Sequence, residues 1–137
     1  MPVPGTLKRR PINEKELSDI LDRQFNVKPI ETLAYIRLLE GSDMTVHELA
    51  QSLKIPIEET HALMERMISE GLVIKAPGTE TRFAPLNPRM MLTNIFKVYE
   101  QGVVIALREH RATVDRVVNQ LIPIYEERQI GSEKKSN

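Results

Sequence analysis

The side chains here that could do chemistry are three histidines and a cluster of glutamates, and their spacing narrows that chemistry to recognition. His47, His61 and His110 stand 14 and 49 positions apart, outside the H-E-x-x-H pattern that holds zinc, and there is no cysteine to add a thiolate. No Gly-rich phosphate loop, G-x-S-x-G elbow or isolated acid pair occurs, so no metal, no cofactor and no enzymatic activity are expected. The stretch IPIEETHALMERMISEGLV, residues 55–73, has instead the pattern of a DNA-reading helix. Thr60, Leu63, Met64 and Met67 form the stripe to be buried, which turns Glu58, Glu59, His61, Ala62, Glu65, Arg66 and Ser69 outward. Its acids stand where phosphate contact wants Lys or Arg. Glu58 and Glu59 in a first helical turn favour the helix dipole by ~0.3 to 1 kcal/mol. Alternatively, one of them accepts from a cytosine amino group in the major groove. The dipole role is the simpler, because acids are a minority among base contacts.

Positive charge must then come from around the helix. Lys54 lies just before it, and Lys75, Thr79 and Arg82 belong to the segment after it. Lys8, Arg9 and Arg10 form an N-terminal triplet that either follows the minor groove or merely solubilises the terminus. Between Phe25 and Met90 seven basic residues face nine acidic ones, so this stretch alone should hold phosphate weakly. Doubling every contact in a dimer would compensate.

The elements that position these residues are legible from caps and periodicity. A chain of 137 residues with 19 basic and 19 acidic side chains is one domain in size and carries no global field. The absence of cysteine, of a signal-like apolar stretch and of any membrane-length run points to the cytoplasm and to no membrane partner. Residues 1–12, with three prolines and the basic triplet, read as a flexible arm. Asn13 with Glu16 signals a first helix to about Phe25, carrying Leu17, Ile20 and Leu21. Pro29 opens a second, with Leu33, Tyr35, Ile36 and Leu39 facing the core and Gly41 as its stop. Thr45 and Glu48 make a capping box for a short third helix bearing Val46, Leu49, Ala50 and Leu53. Lys54-Ile55-Pro56 breaks the chain before the helix that ends at Gly71. Residues 72–85 read as a β-hairpin, with Pro77 and Gly78 central to a type II turn. Met64, Met67, Met90 and Met91 read as core filling. The fold class is therefore mainly α with a small β-hairpin: a winged helix-turn-helix over residues 13–87, followed by a long C-terminal dimerisation helix.

That last helix, residues 88–128, starts at a cap and first-turn proline, Asn87-Pro88. Val103, Leu107, His110, Val114, Val117, Leu121 and Ile124 follow at spacings 4, 3, 4, 3, 4, 3, an a/d coiled-coil seam. Leu92, Phe96, Tyr99 and Val103 precede it at 4, 3, 4, so the register stutters beside Gly102, where a bend or change of partner is expected. His110 is the one ionisable group on the seam; it fixes register or, as a symmetric pair, makes the interface sensitive to pH. Pro123 predicts a kink or fraying, and residues 129–137 a disordered tail. A helix of ~40 residues reaches ~60 Å, more than a body of ~60 residues can cover, so its seam calls for a second copy of the chain.

The stretch from Phe25 to Pro88 resembles the N-terminal domain of the TrmB-type archaeal transcription regulators, within the wider MarR and ArsR group of winged-helix proteins. The segments that carry this are IETLAYIRLLE, MTVHELAQSLKIP, IEETHALMERMISEGLV and KAPGTETRFAPLNP. The resemblance implies a homodimer on double-stranded DNA, each copy laying its recognition helix in a major groove and its wing along the backbone. Larger members carry a C-terminal sugar-binding domain; this chain is expected to lack it. The expected function is that of a DNA-binding transcriptional regulator or chromatin-associated factor. The alternative is a winged-helix adaptor whose acidic face meets a protein of the transcription machinery.

Overall fold

The computed structural model describes residues 11–136, in the order α1 (Glu14–Phe25), α2 (Pro29–Glu40), α3 (Val46–Leu53), α4 (Ile57–Glu70), β1 (Val73–Ala76), β2 (Arg82–Pro85) and α5 (Pro88–Ser136). The basic triplet Lys8, Arg9 and Arg10 of the expected arm lies outside the described residues. Most boundaries have a local cause. The Asn13 side chain accepts from the Glu16 backbone N–H at 3.1 Å, half of the expected box. Thr45 and Glu48 complete theirs reciprocally, at 3.1 and 3.2 Å. Pro29 occupies the first turn of α2, where its missing N–H costs nothing.

The core joins α2, α3, α4, the hairpin and the first turns of α5 through Ala34, Leu38, Leu49, Met64, Leu72, Phe83, Met91 and Ile95. α4 buries Thr60, Leu63, Met64 and Met67, the stripe expected from spacing. α2 does not follow its expected face: Leu39 is 43 % exposed, whereas Glu31, Thr32, Ala34 and Leu38 are buried with Tyr35 and Ile36. This helix is packed by α1, α3 and β2 together, so little of its circumference stays wet and the 3.6-residue pattern blurs. Met90 is exposed rather than core, and its neighbour Met91 takes the buried place.

β1 and β2 pair antiparallel with Val73 opposite Pro85 and Ala76 opposite Arg82. That register leaves residues 77–81 as a five-residue bend with Gly78 at φ 152°, in place of the expected type II turn, whose third residue sits near ~80°. Met44, ahead of α3, exchanges both backbone hydrogen bonds with Phe83, at 3.1 and 2.7 Å, and so ties the wing to the helix-turn-helix.

The chain divides between Lys97 and Val98 into two compact units, α5 running through both. No helix is long and apolar enough to cross a membrane. The helix is unbroken at Gly102 and at Pro123 and continues to Ser136, which corrects both the expected boundary at residue 128 and the expected disorder from 129 onward. Pro123 removes one donor, and the loss stays within one turn because Glu126, Glu127, Arg128 and Gln129 are strong helix formers.

Candidate nucleic-acid interface

α3 and α4 are joined by three residues, and each has a structural task. Lys54 takes a left-handed conformation at φ 58°, capping α3 through its N–H to Ala50 O; Ile55 N–H also reaches Ala50 O, at 3.2 Å. Pro56 is the N-cap of α4 and offers no side-chain acceptor. Glu58 and Glu59 in that first turn supply the negative charge that the cap lacks, which suits the dipole role.

Spacing along α4 separates its exposed residues by direction. Arg66 and Glu70 turn toward α2, where the Arg66 Nε lies 3.8 Å from an oxygen of Glu31, itself only 2 % exposed. That overturns the reading of Arg66 as an outward, base-reading side chain: a buried carboxylate draws it inward, and the Nε and the Glu31 Oε2 are both shielded from solvent. The Glu70 carboxyl, pushed up to about 7 by burial and by the hydrogen bond and charge of Glu31, completes this acid-rich joint. On the other flank His61, Glu65 and Ile68 line a groove of about 220 Å³ shared with Lys75, Thr81 and Phe83 of the wing. The outward stripe that remains is Glu58, Ala62, Glu65 and Ser69, with Glu59 and His61 at its margins, all exposed.

The cations sort in the same way. Arg82 donates to the Asp43 carbonyl at 3.0 Å, to Glu48 at 3.1 Å and to Glu80 at 3.1 Å. Its expected phosphate contact is therefore corrected, because the guanidinium is committed to holding the wing against α3. Glu48 is held below the usual carboxylate range by hydrogen bonds from Thr45, backbone and side chain, and then by Arg82. Arg37 bridges α2 to Glu14 of α1 at 3.0 Å and to Glu40 at 3.2 Å. Among the described residues Lys54, Lys75 and Arg89 carry no ion pair, and all three are exposed. Thr79 sits exposed in the bend between the strands. The outline of a phosphate-facing rim is thus Lys54 in the turn, Lys75 and Thr79 on the wing, and Arg89 at the start of α5. The site reading from sequence omits Arg89, whose signal is its place just behind the first-turn proline.

The α5 residues assigned to the seam are all exposed; Leu92, Phe96, Tyr99, Val103, Leu107, Val114, Val117, Leu121 and Ile124 lie between 41 and 65 %. His110 is exposed as well.

Among solved structures, this fold is similar to TrmBL2, described as an archaeal chromatin protein showing a novel mode of DNA binding. The TM-score is 0.68 at 18 % identity, over 82 % of this chain and 44 % of that one. It is also similar to a MarR family protein from Bacillus stearothermophilus, with a TM-score of 0.50 at 22 % identity over 80 % of this chain and 82 % of that one. In sequence it is 21 % identical over 108 residues to the DNA-binding HTH-type transcriptional repressor TrmBL2 of Thermococcus kodakarensis, covering 79 % of this chain and 41 % of that protein. It is 19 % identical over 115 residues to the putative HTH-type transcriptional regulator TrmBL2 of Pyrococcus furiosus, covering 84 % and 44 %. The chain thus spans less than half the length of these curated relatives. The family model described as sugar-specific transcriptional regulator TrmB matches residues 7–89, the whole winged helix-turn-helix, and the chain belongs to the TrmB family.

Proposed function

We propose that the chain is a double-stranded-DNA-binding transcriptional regulator or chromatin-associated factor that acts as a homodimer in the cytoplasm, without enzymatic activity. The observation that carries this reading is a complete winged helix-turn-helix whose unpaired cations form one rim around α4. The relatives named for DNA binding and transcriptional repression support it. α4 enters the groove with Glu58, Glu59, His61, Ala62 and Glu65. Lys54, Lys75, Thr79 and Arg89 meet phosphate, joined by Lys8, Arg9 and Arg10 of the arm. Each half binds weakly, and pairing through Leu92, Phe96, Tyr99, Val103, Leu107, His110, Val114, Val117, Leu121 and Ile124 doubles the contacts.

A salt titration of duplex binding tests this. The log-log dependence of the association constant on salt should be steep and negative, at about 0.9 per phosphate contact. Lys54→Ala or Lys75→Ala, removing two contacts per dimer, should each flatten the slope by roughly 2. Indifference to duplex DNA at low salt overturns the proposal. The outward stripe of α4, which holds Glu58 and Glu65 and no cation, would then favour the adaptor reading, with a basic protein of the transcription machinery as partner.

A further inference from the structure

The exposed apolar face of α5 is wider than a two-stranded seam uses, and the residue types on it are wrong for one. With Val103, His110, Val117 and Ile124 at d and Leu107, Val114 and Leu121 at a, leucine predominates at a and β-branched residues at d. That is the reverse of the arrangement favouring parallel dimers, and leucine at a with isoleucine at d shifts preference to trimers and tetramers. The e positions are Val104, Arg111, Val118 and Tyr125; a two-stranded coil commonly places charge there, and here three of the four are apolar and 40 to 56 % exposed. The opposite flank, g, carries Ala106, Thr113, Gln120 and Glu127 and offers no such extension. A stripe over a, d and e spans the arc that a helix buries in a bundle rather than in a coil. Nothing electrostatic opposes gathering several copies: from Val98 to Asn137 six basic residues balance six acidic ones, and Arg111 is paired with Asp115 at 3.7 Å.

We propose that the e flank of α5, formed by Val104, Val118 and Tyr125, takes a second dimer of this same chain, so that the protein assembles as a tetramer through a four-helix core. The assignment rests on the homodimer reading of the a/d seam and extends it, since the flank is continuous with that seam. Its consequence is four winged bodies per particle, twice the valency of a dimer.

Sedimentation equilibrium of the full chain from low to high micromolar concentration tests it. The expected mass is four times the 15.7 kDa chain. Val104→Glu with Val118→Glu should halve that mass while the winged body stays folded by circular dichroism, because glutamate at e is tolerated in a two-stranded coil. A wild type that remains dimeric throughout overturns the tetramer and leaves the homodimer standing; a monomer overturns both. A tetramer that survives the paired substitution, or falls directly to monomer, also overturns the assignment, because the extra copies then do not sit on this flank.

Discussion

Gly71 is the point at which the end of α4, the start of the wing and α5 are fastened together, and replacing it with alanine tests that joint. Its φ of 81° lies in the left-handed region, where a Cβ costs about 1 to 2 kcal/mol. The added Cβ would also stand 2.4 Å from Nδ2, 2.8 Å from Cγ and 2.9 Å from Cβ of Asn94. Asn94 cannot retreat freely, because its Nδ2 donates to the Gly71 carbonyl at 2.8 Å, a bond worth about 0.5 to 1.5 kcal/mol net. Together these terms predict a loss of about 2 to 4 kcal/mol for Gly71→Ala, read as a lowered urea midpoint at unchanged slope and fixed protein concentration. Asn94→Ala on top of Gly71→Ala removes the clash, so the pair should cost less than the two single losses combined. Gly102→Ala is the counter-test: a Cβ there meets nothing within 4 Å, and helix propensity predicts a gain of up to about 1 kcal/mol. A Gly71→Ala protein within about 0.5 kcal/mol of wild type, by the surface-substitution standard, or strictly additive behaviour with Asn94→Ala, would refute the reasoning.

Other expectations follow from the same contacts. Because the Glu70 carboxyl is raised to about 7 by burial and by Glu31, its protonation stabilises the fold fully below the ordinary carboxyl value and that contribution is lost as pH rises through 7. Thermal melts from pH 6 to 8 should therefore decline in wild type and be flatter in Glu70→Gln. Arg82→Ala should loosen the wing by about 1 to 2 kcal/mol in urea, since a charged hydrogen bond to a carbonyl and two partly exposed ion pairs are lost, yet leave the salt slope of DNA binding near wild type. Tyr35→Phe removes the phenol that donates to the Leu86 carbonyl at 2.6 Å and should cost about 1 to 2 kcal/mol in the same assay.

The parts of this fold legible in sequence are those decided within one or two helical turns. Thr45 with Glu48, Pro29 and Gly71 mark boundaries by local hydrogen bonding or backbone freedom, and the Thr60-Leu63-Met64-Met67 stripe has one core to face. α2 is harder, because a helix packed by three elements loses the polar face that makes a period visible. The fate of each arginine is hardest. Arg66 answers to Glu31, 35 positions away, and Arg82 to Asp43 and Glu48, 39 and 34 positions away. Nothing near them in the chain distinguishes them from cations facing water. Pro123 misleads for the opposite reason, since one strong local signal is outweighed by several weak ones of the same sign around it.

Sorting the cations also changes what the acidic helix means. Arg37, Arg66 and Arg82 are spent inside the fold, where a planar fork can hold carboxylates and carbonyls in fixed directions. The rim keeps Lys54 and Lys75, compact charges on flexible stems that meet phosphate without demanding a base or a register. On the DNA-binding reading, affinity then comes from the rim and discrimination from the stripe, because Glu58 and Glu65 can only accept and so oppose a groove edge that presents acceptors alone. A weak grip combined with a repulsive reader penalises wrong sequence more than it rewards the right one. Such a module gains from multiplication, since each added copy contributes more lysine contacts while every copy keeps its own acidic check. The wide apolar face of α5 supplies the means of adding copies.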